Sequence, residues 1–283
     1  MIDLNIRTAG ILWNPGKENG LPVARTLAGC LRARGCALLG DENLSRLLSI
    51  APMPAGNPGV DLLFVLGGDG TVLSALDRAV PWQIPILGVN LGRLGFLSEV
   101  EPENLEADLE KLFRGDYWFD DRMLMTLEGA EEDCFALNEI VISRKNAAAG
   151  IFSVEARANG TLIDRISGDG LIVASATGST AYSLSAGGPI VAPGLECFVI
   201  TPVCPHTMNA RPVVASAQER IGLRVLDKPG EACAVFDGRR VYPFSEEKAE
   251  ITIVKSRRFA RFVRLHRRNY FNLLRNKLSQ WTH

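Results

Sequence analysis

The chain has 283 residues, 47% of them hydrophobic and 22% charged, with a net charge of −1. That length suits two modest domains, and that composition suits a folded globular protein rather than a disordered or fibrous one. No apolar run approaches the roughly 20 residues of a membrane span, and Met1-Ile2-Asp3-Leu4 has neither a basic n-region nor a long apolar core, so neither a membrane helix nor a signal peptide is expected. The six cysteines are scattered without a Cys-x-x-Cys pair, and there are only three histidines. This points to a reducing cytoplasm rather than a disulfide framework or a zinc site.

In chain order, Arg7 to Trp13 reads as a first strand, ended by Asn14-Pro15-Gly16. Val23, Leu27 and Leu31, with Ala24 and Cys30 beside them, form a helical stripe that Gly35 can close. Ala37 to Leu39 reads as a short strand, and Pro52, Pro54, Gly56, Pro58 and Gly59 as a loop. The run Leu62-Leu63-Phe64-Val65-Leu66 is a buried strand, and Val72, Leu73, Leu76 and Ala79 predict a helix after it. Pro85 to Val89 is a further strand, and Leu105, Leu109 and Leu112 mark the next helix. Alternating strands and helices predict a parallel sheet with ligands at the strand ends.

The pattern changes near residue 120. Leu124 to Leu127, Phe135 to Ser143, Ser153 to Ala158, Thr161 to Ile166, Leu171 to Ala174, Phe198 to Thr201, Ile221 to Leu226, Ala232 to Phe236 and Ile251 to Lys255 read as strands. Asn159-Gly160 is a strong hairpin signal. The fold class is therefore an α/β N-terminal domain with a parallel sheet (1–120), a mainly-β C-terminal domain (121–260), and a basic closing segment (261–283) that packs back as a helix over Phe271 to Leu278. A cleft between the domains is the default place for a ligand. Residues 251–283 hold nine of the 31 Lys/Arg and none of the 32 Asp/Glu. This basic stretch can bind nucleic acid or pair with the acidic body of its own chain or a sister subunit. Its interleaved Phe259, Phe262, Val263, Leu265, Phe271, Leu273, Leu274 and Leu278 look like packing positions and favour the structural reading.

The chain is organised around Gly67-Gly68-Asp69-Gly70-Thr71, which joins the buried strand to its helix. Glycines let the backbone approach a ligand, Thr71 can cap the helix, and a helix start points unpaired N–H groups at an anion. A carboxylate in a phosphate seat makes sense if Asp69 accepts a proton from a hydroxyl that attacks phosphorus. A plain Gly-Asp-Gly turn or a calcium loop uses the same residues; the strand before and the helix after favour the phosphate seat. It is not a Walker A loop, because no Gly-Lys-Ser/Thr follows.

Asn138-Glu139 lies inside an apolar run, where an amide and a carboxylate suit the hydroxyls of a sugar and a strand edge or bulge is the plainer alternative. From Ser175 to Ser185, six Ser/Thr side chains crowd a stretch followed by Gly187-Gly188-Pro189. It reads as a polar loop entering a short helix from about Ser179 to Gly187, able to hold a nucleoside, with Tyr182 available to stack. Cys204-Pro205-His206 is read as a structural turn rather than a nucleophile, because a Cys two residues from a His cannot usually reach it. Asp237-Gly238 reads as a hairpin turn first and a ligand contact second.

Together these stretches resemble the NAD kinase family over essentially the whole chain. The resemblance rests on Gly67 to Thr71, on Pro85 to Ser98 (PILGVNLGRLGFLS), on Asn138-Glu139, and on Gly168 to Val191 (GDGLIVASATGSTAYSLSAGGPIV), with Thr201 to Pro212 and the basic C-terminal stretch also similar. The first motif is shared with related lipid kinases and phosphofructokinases; the long glycine- and hydroxyl-rich one is far more specific. The resemblance implies transfer of the ATP γ-phosphoryl group to the 2′-hydroxyl of the adenosine ribose of NAD. It implies Asp69 as general base and Gly67, Gly68, Gly70 and Thr71 at the phosphates. It implies Phe96, Asn138, Glu139, Asp169, Thr177, Thr180, Ala181, Tyr182, Ser183, Leu184 and Ser185 around NAD. It also implies Mg²⁺ carried mainly by ATP, a homodimer or homotetramer, and no nucleic-acid or membrane partner. One departure is visible: Ser175-Ala176-Thr177 stands where the family usually has Thr-Pro-Thr, which frees the loop backbone. The rival readings are a lipid or sugar kinase sharing the first motif and a catalytically inactive nucleotide sensor.

Overall fold

The computed structural model describes residues 4–17, 19–92, 95–130, 134–146, 152–267 and 270–280. Within the stretches singled out above, Met1 to Asp3, Arg93, Leu94 and Arg268 lie outside these residues. The chain divides into two compact units, Met1–Asp121 with Ala260–His283, and Arg122–Phe259.

The first unit is α/β. Strands β1 (Thr8–Trp13), β2 (Ala37–Gly40), β3 (Ala51–Pro52), β4 (Leu62–Gly67) and β5 (Ile86–Asn90) form a parallel sheet in the order β3-β2-β1-β4-β5. Helices α1 (Gly20–Ala33), α2 (Glu42–Leu48), α3 (Asp69–Ala79) and α4 (Leu105–Phe113) connect and cover them. Every residue of β4 is buried, as expected for a central strand covered on both faces. In α1, Ala24, Leu27, Ala28 and Leu31 face the core, and Gly35, at φ 77°, ends the run. In α3 the buried stripe is Val72, Ala75, Leu76 and Ala79; Leu73 is half-buried, so Ala75 takes the place the spacing gave to Leu73. Helix α2 was not expected from its short pattern. Asp41 starts it by accepting the Leu44 N–H at 2.9 Å.

The second unit is mainly antiparallel β. It contains β6 (Trp118–Leu127, entering from the first unit), β7 (Phe135–Ala136), β8 (Glu139–Arg144), β9 (Phe152–Ala158), β10 (Thr161–Gly168), β11 (Gly170–Ser175), β12 (Cys197–Val203), β13 (Val213–Ser216), β14 (Ile221–Val225), β15 (Ala232–Phe236) and β16 (Arg240–Pro243). One sheet runs β13-β12-β11-β8-β15-β16, and β10-β9-β14 continue onto β17 (Glu250–Arg264). The β9–β10 hairpin turns at Asn159 and Gly160, φ 47° and 82°, the left-handed pair that a tight hairpin requires. Apolar residues of both sheets, among them Phe152, Phe198, Phe236, Ile221 and Ile253, fill the core.

Two expectations are corrected. The run from Phe135 to Ser143 is not one strand: it breaks at Leu137-Asn138, whose N–H groups bind a side chain instead of a neighbouring strand. The strand expected over Ile251 to Lys255 runs from Glu250 to Arg264, nine residues further, and its later residues pair within the first unit through Phe262 and Ile86. Strands β3, of two residues, and β13 and β16, of four each, are too short to be read from pattern alone.

The returning chain is held by buried charge. Glu99, 3% exposed, accepts the N–H groups of Leu265 at 2.9 Å and His266 at 2.8 Å. Arg264, also buried, reaches Asp120 at 2.9 Å, the Leu97 carbonyl at 3.0 Å and Glu99 at 3.4 Å. Arg261 pairs with Asp121, and the His266 ring lies 2.9 Å from Asp108. Arg261, Arg264 and His266 thus meet acidic residues of their own chain, as Lys255 does at Glu196, 2.6 Å away. Phe262, Val263 and Leu265 are buried as their spacing implied and Phe259 is half-buried, whereas Phe271 is exposed on α6 (Tyr270–Gln280), a helix longer at both ends than the sequence suggested.

Glu99→Ala is expected to destabilise the protein by about 3 kcal/mol or more, since it strips two N–H groups and a buried guanidinium of an acceptor. Denaturant unfolding checks this; a midpoint unchanged from wild type would remove Glu99 as the anchor of the returning chain.

Candidate functional site

In the first unit, β2 and β3 lie to one side of β1, while β4 and β5 lie to the other. The strand order therefore reverses between β1 and β4, and the carboxyl end of such a reversal is where an open parallel sheet leaves a crevice for a ligand. Asp69 sits there, just beyond β4. It is the first residue of α3, with Gly68 in extended conformation as the N-cap. This corrects the expectation for Thr71: it is the third residue of the helix, not its cap, and its side chain leans over Gly67.

The Asp69 carboxylate is clamped. Oδ2 accepts the N–H of Phe96 at 2.9 Å and Oδ1 the N–H of Leu97 at 3.1 Å. Each oxygen keeps a further lone-pair direction. A Cβ on Gly95 would lie 1.9 Å from Asp69 Oδ1, so only glycine lets that backbone come this close. The Leu97 carbonyl in turn accepts from Arg264 at 3.0 Å. Phe96 is half-buried; the Tyr270 ring is 6.3 Å from its own, and Lys277 Nζ stands 4.6 Å over it.

In the second unit the sequence-selected residues gather around one turn. Asp237, at φ 48° between β15 and β16, accepts the N–H groups of Leu137 at 2.7 Å, Asn138 at 2.8 Å and Glu139 at 3.1 Å. The Asp-Gly pair is a hairpin turn, as read, but its carboxylate also fixes a loop 100 residues earlier in the chain. Nothing in the spacing signals that, because the two segments meet only through pairing of β8 with β15. Glu139 is buried, 8% exposed, and its Oε2 has no hydrogen-bond partner among the described residues. Burial and the neighbouring Asp237 carboxylate push its titration up to about 7, with the Tyr182 N–H opposing. Burial raises Asp237 as well, against the pull of its three N–H donors.

The hydroxyl-rich stretch divides into structural and outward-facing groups. Ser175 donates to the Leu137 carbonyl at 2.5 Å, and Ser179 donates to the Ala176 carbonyl at 2.8 Å and accepts from the Val191 N–H at 3.0 Å. Ser183 is fully buried and bonds Thr201 at 2.8 Å. Thr177 receives a bond from Arg122 at 3.3 Å, and Thr180 bonds the Thr177 carbonyl at 3.3 Å. Asp169, Tyr182 and Ser185 are exposed, while Thr180, Ala181 and Leu184 are half-buried. The expected single helix from Ser179 is instead a 3₁₀ turn, Thr177–Thr180, followed by one α turn, α5 (Tyr182–Ser185). A Cβ on Gly178 would fall 2.0 Å from the Asn138 carbonyl oxygen, so this glycine lets the loop lie on the Asn138 backbone. Cys204, at φ 43°, starts a turn whose His206 N–H bonds the Ser167 carbonyl at 2.8 Å, in keeping with the structural reading of that stretch.

Ala176 occupies the place of the usual Pro with φ −58°, inside proline's range, and Ser175 before it is a strand residue. The serine hydroxyls hold the loop that the missing ring would have stiffened. Ala176→Pro is expected to raise stability by about 0.4–1 kcal/mol, visible as a higher thermal midpoint. Glu139 gives a pH signature of opposite sense to most carboxyls. Its value of about 7 exceeds the ordinary 4.5, so the folded state binds this proton more tightly and stability is lost as pH rises between the two. Glu139→Gln is expected to exceed wild type in stability by up to about 3 kcal/mol above pH 7, with the gap closing near pH 4. Urea midpoints at the two pH values check it; equal gaps would place the titration elsewhere.

Comparison with known proteins agrees with this layout. The ATP-NAD kinase N-terminal domain family matches residues 9–117, and the ATP-NAD kinase C-terminal domain family matches residues 137–265. The NAD kinase of Heliobacterium modesticaldum is 38% identical over 96% of this chain and 99% of its own. That of Caldanaerobacter subterraneus subsp. tengcongensis is 40% identical over 97% of this chain and its full length. Among solved structures, an NAD kinase from Archaeoglobus fulgidus in complex with ATP superposes with a TM-score of 0.79 at 30% identity, covering 96% of this chain and 98% of that one. With both domain families matched in order and relatives aligned end to end, the chain belongs to the NAD kinase family.

Proposed function

We propose that this protein transfers the γ-phosphoryl group of ATP to the 2′-hydroxyl of the adenosine ribose of NAD, giving NADP and ADP. The observation that carries the reading is the Asp69 carboxylate, clamped by two backbone N–H groups at the end of β4 in a chain of this family. In the reaction the ribose oxygen attacks phosphorus, the bond to the ADP oxygen breaks, and the hydroxyl proton passes to a free lone pair of Asp69. The transition state is largely dissociative, so orientation counts for as much as basicity. The Phe96 and Leu97 N–H groups supply that orientation.

Gly67, Gly68, Gly70 and Thr71 are assigned to the phosphates, where the first turn of α3 offers N–H groups. Asn138 and Glu139 are assigned to the ribose and adenine. Asp169, Tyr182 and Ser185, whose side chains face solvent, are assigned to the dinucleotide, with Phe96, Thr177, Thr180, Ala181 and Leu184 beside it. Ser183 belongs to this group through its backbone, since its hydroxyl is taken by Thr201.

Among the described residues no group of three or more His, Cys, Asp or Glu forms a metal cage. Mg²⁺ is assigned to the triphosphate of ATP, as the family resemblance implies, where it would neutralise phosphate charge. The family resemblance further supports a homodimer or homotetramer and a cytoplasmic location. No helix among the described residues is long and apolar enough to cross a membrane.

Asp69→Asn is expected to lower turnover about 100-fold or more, the usual scale for a general base, while NAD binding is retained. Steady-state production of NADP, set beside the dissociation constant for NAD, checks both halves. Near-wild-type turnover would sink the assignment of Asp69 as the base.

A further inference from the structure

The turn that follows β1 carries a cation across the carboxyl end of the central strand. The Asn14 N–H bonds the Leu66 carbonyl of β4 at 3.0 Å, and the Asn14 side chain accepts the Gly16 N–H at 2.9 Å. Lys17 is then fixed by its own backbone. Its N–H bonds the Asn14 carbonyl at 3.1 Å, and its carbonyl accepts the N–H of Gly20, the first residue of α1, at 2.9 Å. On the other side of β4, the Leu91 N–H bonds the Gly67 carbonyl at 3.3 Å. There the Asn90 side chain donates to the Gly92 carbonyl at 2.8 Å and accepts the Gly92 N–H at 3.2 Å. The Lys17 Nζ lies 3.6 Å from the point that a Cβ on Gly92 would occupy. In the sheet, β4 stands between β1 and β5. A side chain rooted after β1 whose tip meets the loop after β5 therefore spans the end of β4. That end is Gly67, and Asp69 follows two residues on.

The Lys17 ammonium is uncommitted. The residue is exposed and, among the described residues, forms no ion pair and no side-chain hydrogen bond. Other cations of this unit are engaged: Arg264 with Asp120 and Glu99, Arg261 with Asp121, and Lys277 over the Phe96 ring. A triphosphate at the glycine turn brings several negative charges beside the Asp69 carboxylate, which repels them. The N–H groups at the start of α3 offset only about half an elementary charge. A lysine spanning the same strand end supplies a full positive charge on a flexible stem, which suits phosphate oxygens.

We propose that Lys17 is a phosphate-binding residue of the ATP site, its ammonium donating to non-bridging oxygens of the triphosphate at the glycine turn. The assignment rests on the reading of that turn as the phosphate seat. It adds a group from a separate segment, 52 residues before Asp69, to a seat otherwise built from Gly67 to Thr71.

Steady-state formation of NADP by the full chain tests this, with ATP and NAD varied in turn for wild type, Lys17→Met and Lys17→Arg. The Met variant keeps the apolar stem and loses the charge. Its KM for ATP is expected to rise about tenfold or more, the scale of a charge-assisted hydrogen bond, while its KM for NAD stays within about twofold. Lys17→Arg, which restores the charge, is expected to return the KM for ATP to within about threefold of wild type. An unchanged dependence on ATP in Lys17→Met, an equal rise in both KM values, or an Arg variant as weak as the Met variant overturns the assignment of Lys17 while leaving the phosphate seat in place. Wild type that forms no NADP from NAD and ATP would instead overturn the reading of the seat, and Lys17 with it.

Discussion

The site in the first unit depends on one interaction, the pair of N–H groups from Phe96 and Leu97 that close on the Asp69 carboxylate. A carboxylate at the start of a helix is favoured by the helix dipole, but that alone leaves the side chain free to rotate. Two donors from a separate segment remove this freedom. They require Gly95, whose missing Cβ makes room for Oδ1, and they require that the segment itself be held. Arg264 does the holding by bonding the Leu97 carbonyl, and Glu99 ties the strand end that carries Arg264. The C-terminal return of the chain is therefore part of the support for a group near residue 69, and the charge of Arg264 is spent on buried partners.

A second carboxylate organises the other unit in the same way. Asp237 gathers three N–H groups that would otherwise belong to a strand, and in doing so it breaks β7 from β8 and leaves Asn138 and Glu139 at a bend. The same negative charge disfavours ionisation of Glu139. One side chain thus sets both the local backbone and the electrostatics of its neighbour. Each unit uses a charged acceptor to order irregular backbone, which is a stable arrangement because hydrogen bonds to a charged group are stronger than those between neutral ones.

The hydroxyl-rich stretch shows how little a count of polar side chains says about binding. Ser175, Ser179 and Ser183 are buried and bonded to carbonyls, an N–H group or Thr201, and their role is to shape the loop. Exposure, not residue type, separates them from Asp169, Tyr182 and Ser185. The same internal bonds account for a loop that keeps its form with Ala176 in place of a proline.

The sequence by itself determined the class of fold, the central strand and its glycine turn, the β-rich character after residue 120, the Asn159-Gly160 hairpin and the family. These are encoded locally, in runs of apolar residues, turn chemistry and motifs whose members are neighbours in the chain. Only the tertiary structure decided that Asp69 is clamped by residues 96 and 97, that Asp237 commands the backbone of 137–139, and that Arg264 braces Leu97. In each case the partners are between 27 and 167 residues apart, and both are polar groups whose identity suits many surroundings. A carboxylate in a sequence announces that it needs donors; which donors it finds is fixed by the pairing of strands and the return of the chain, and no local pattern carries that information.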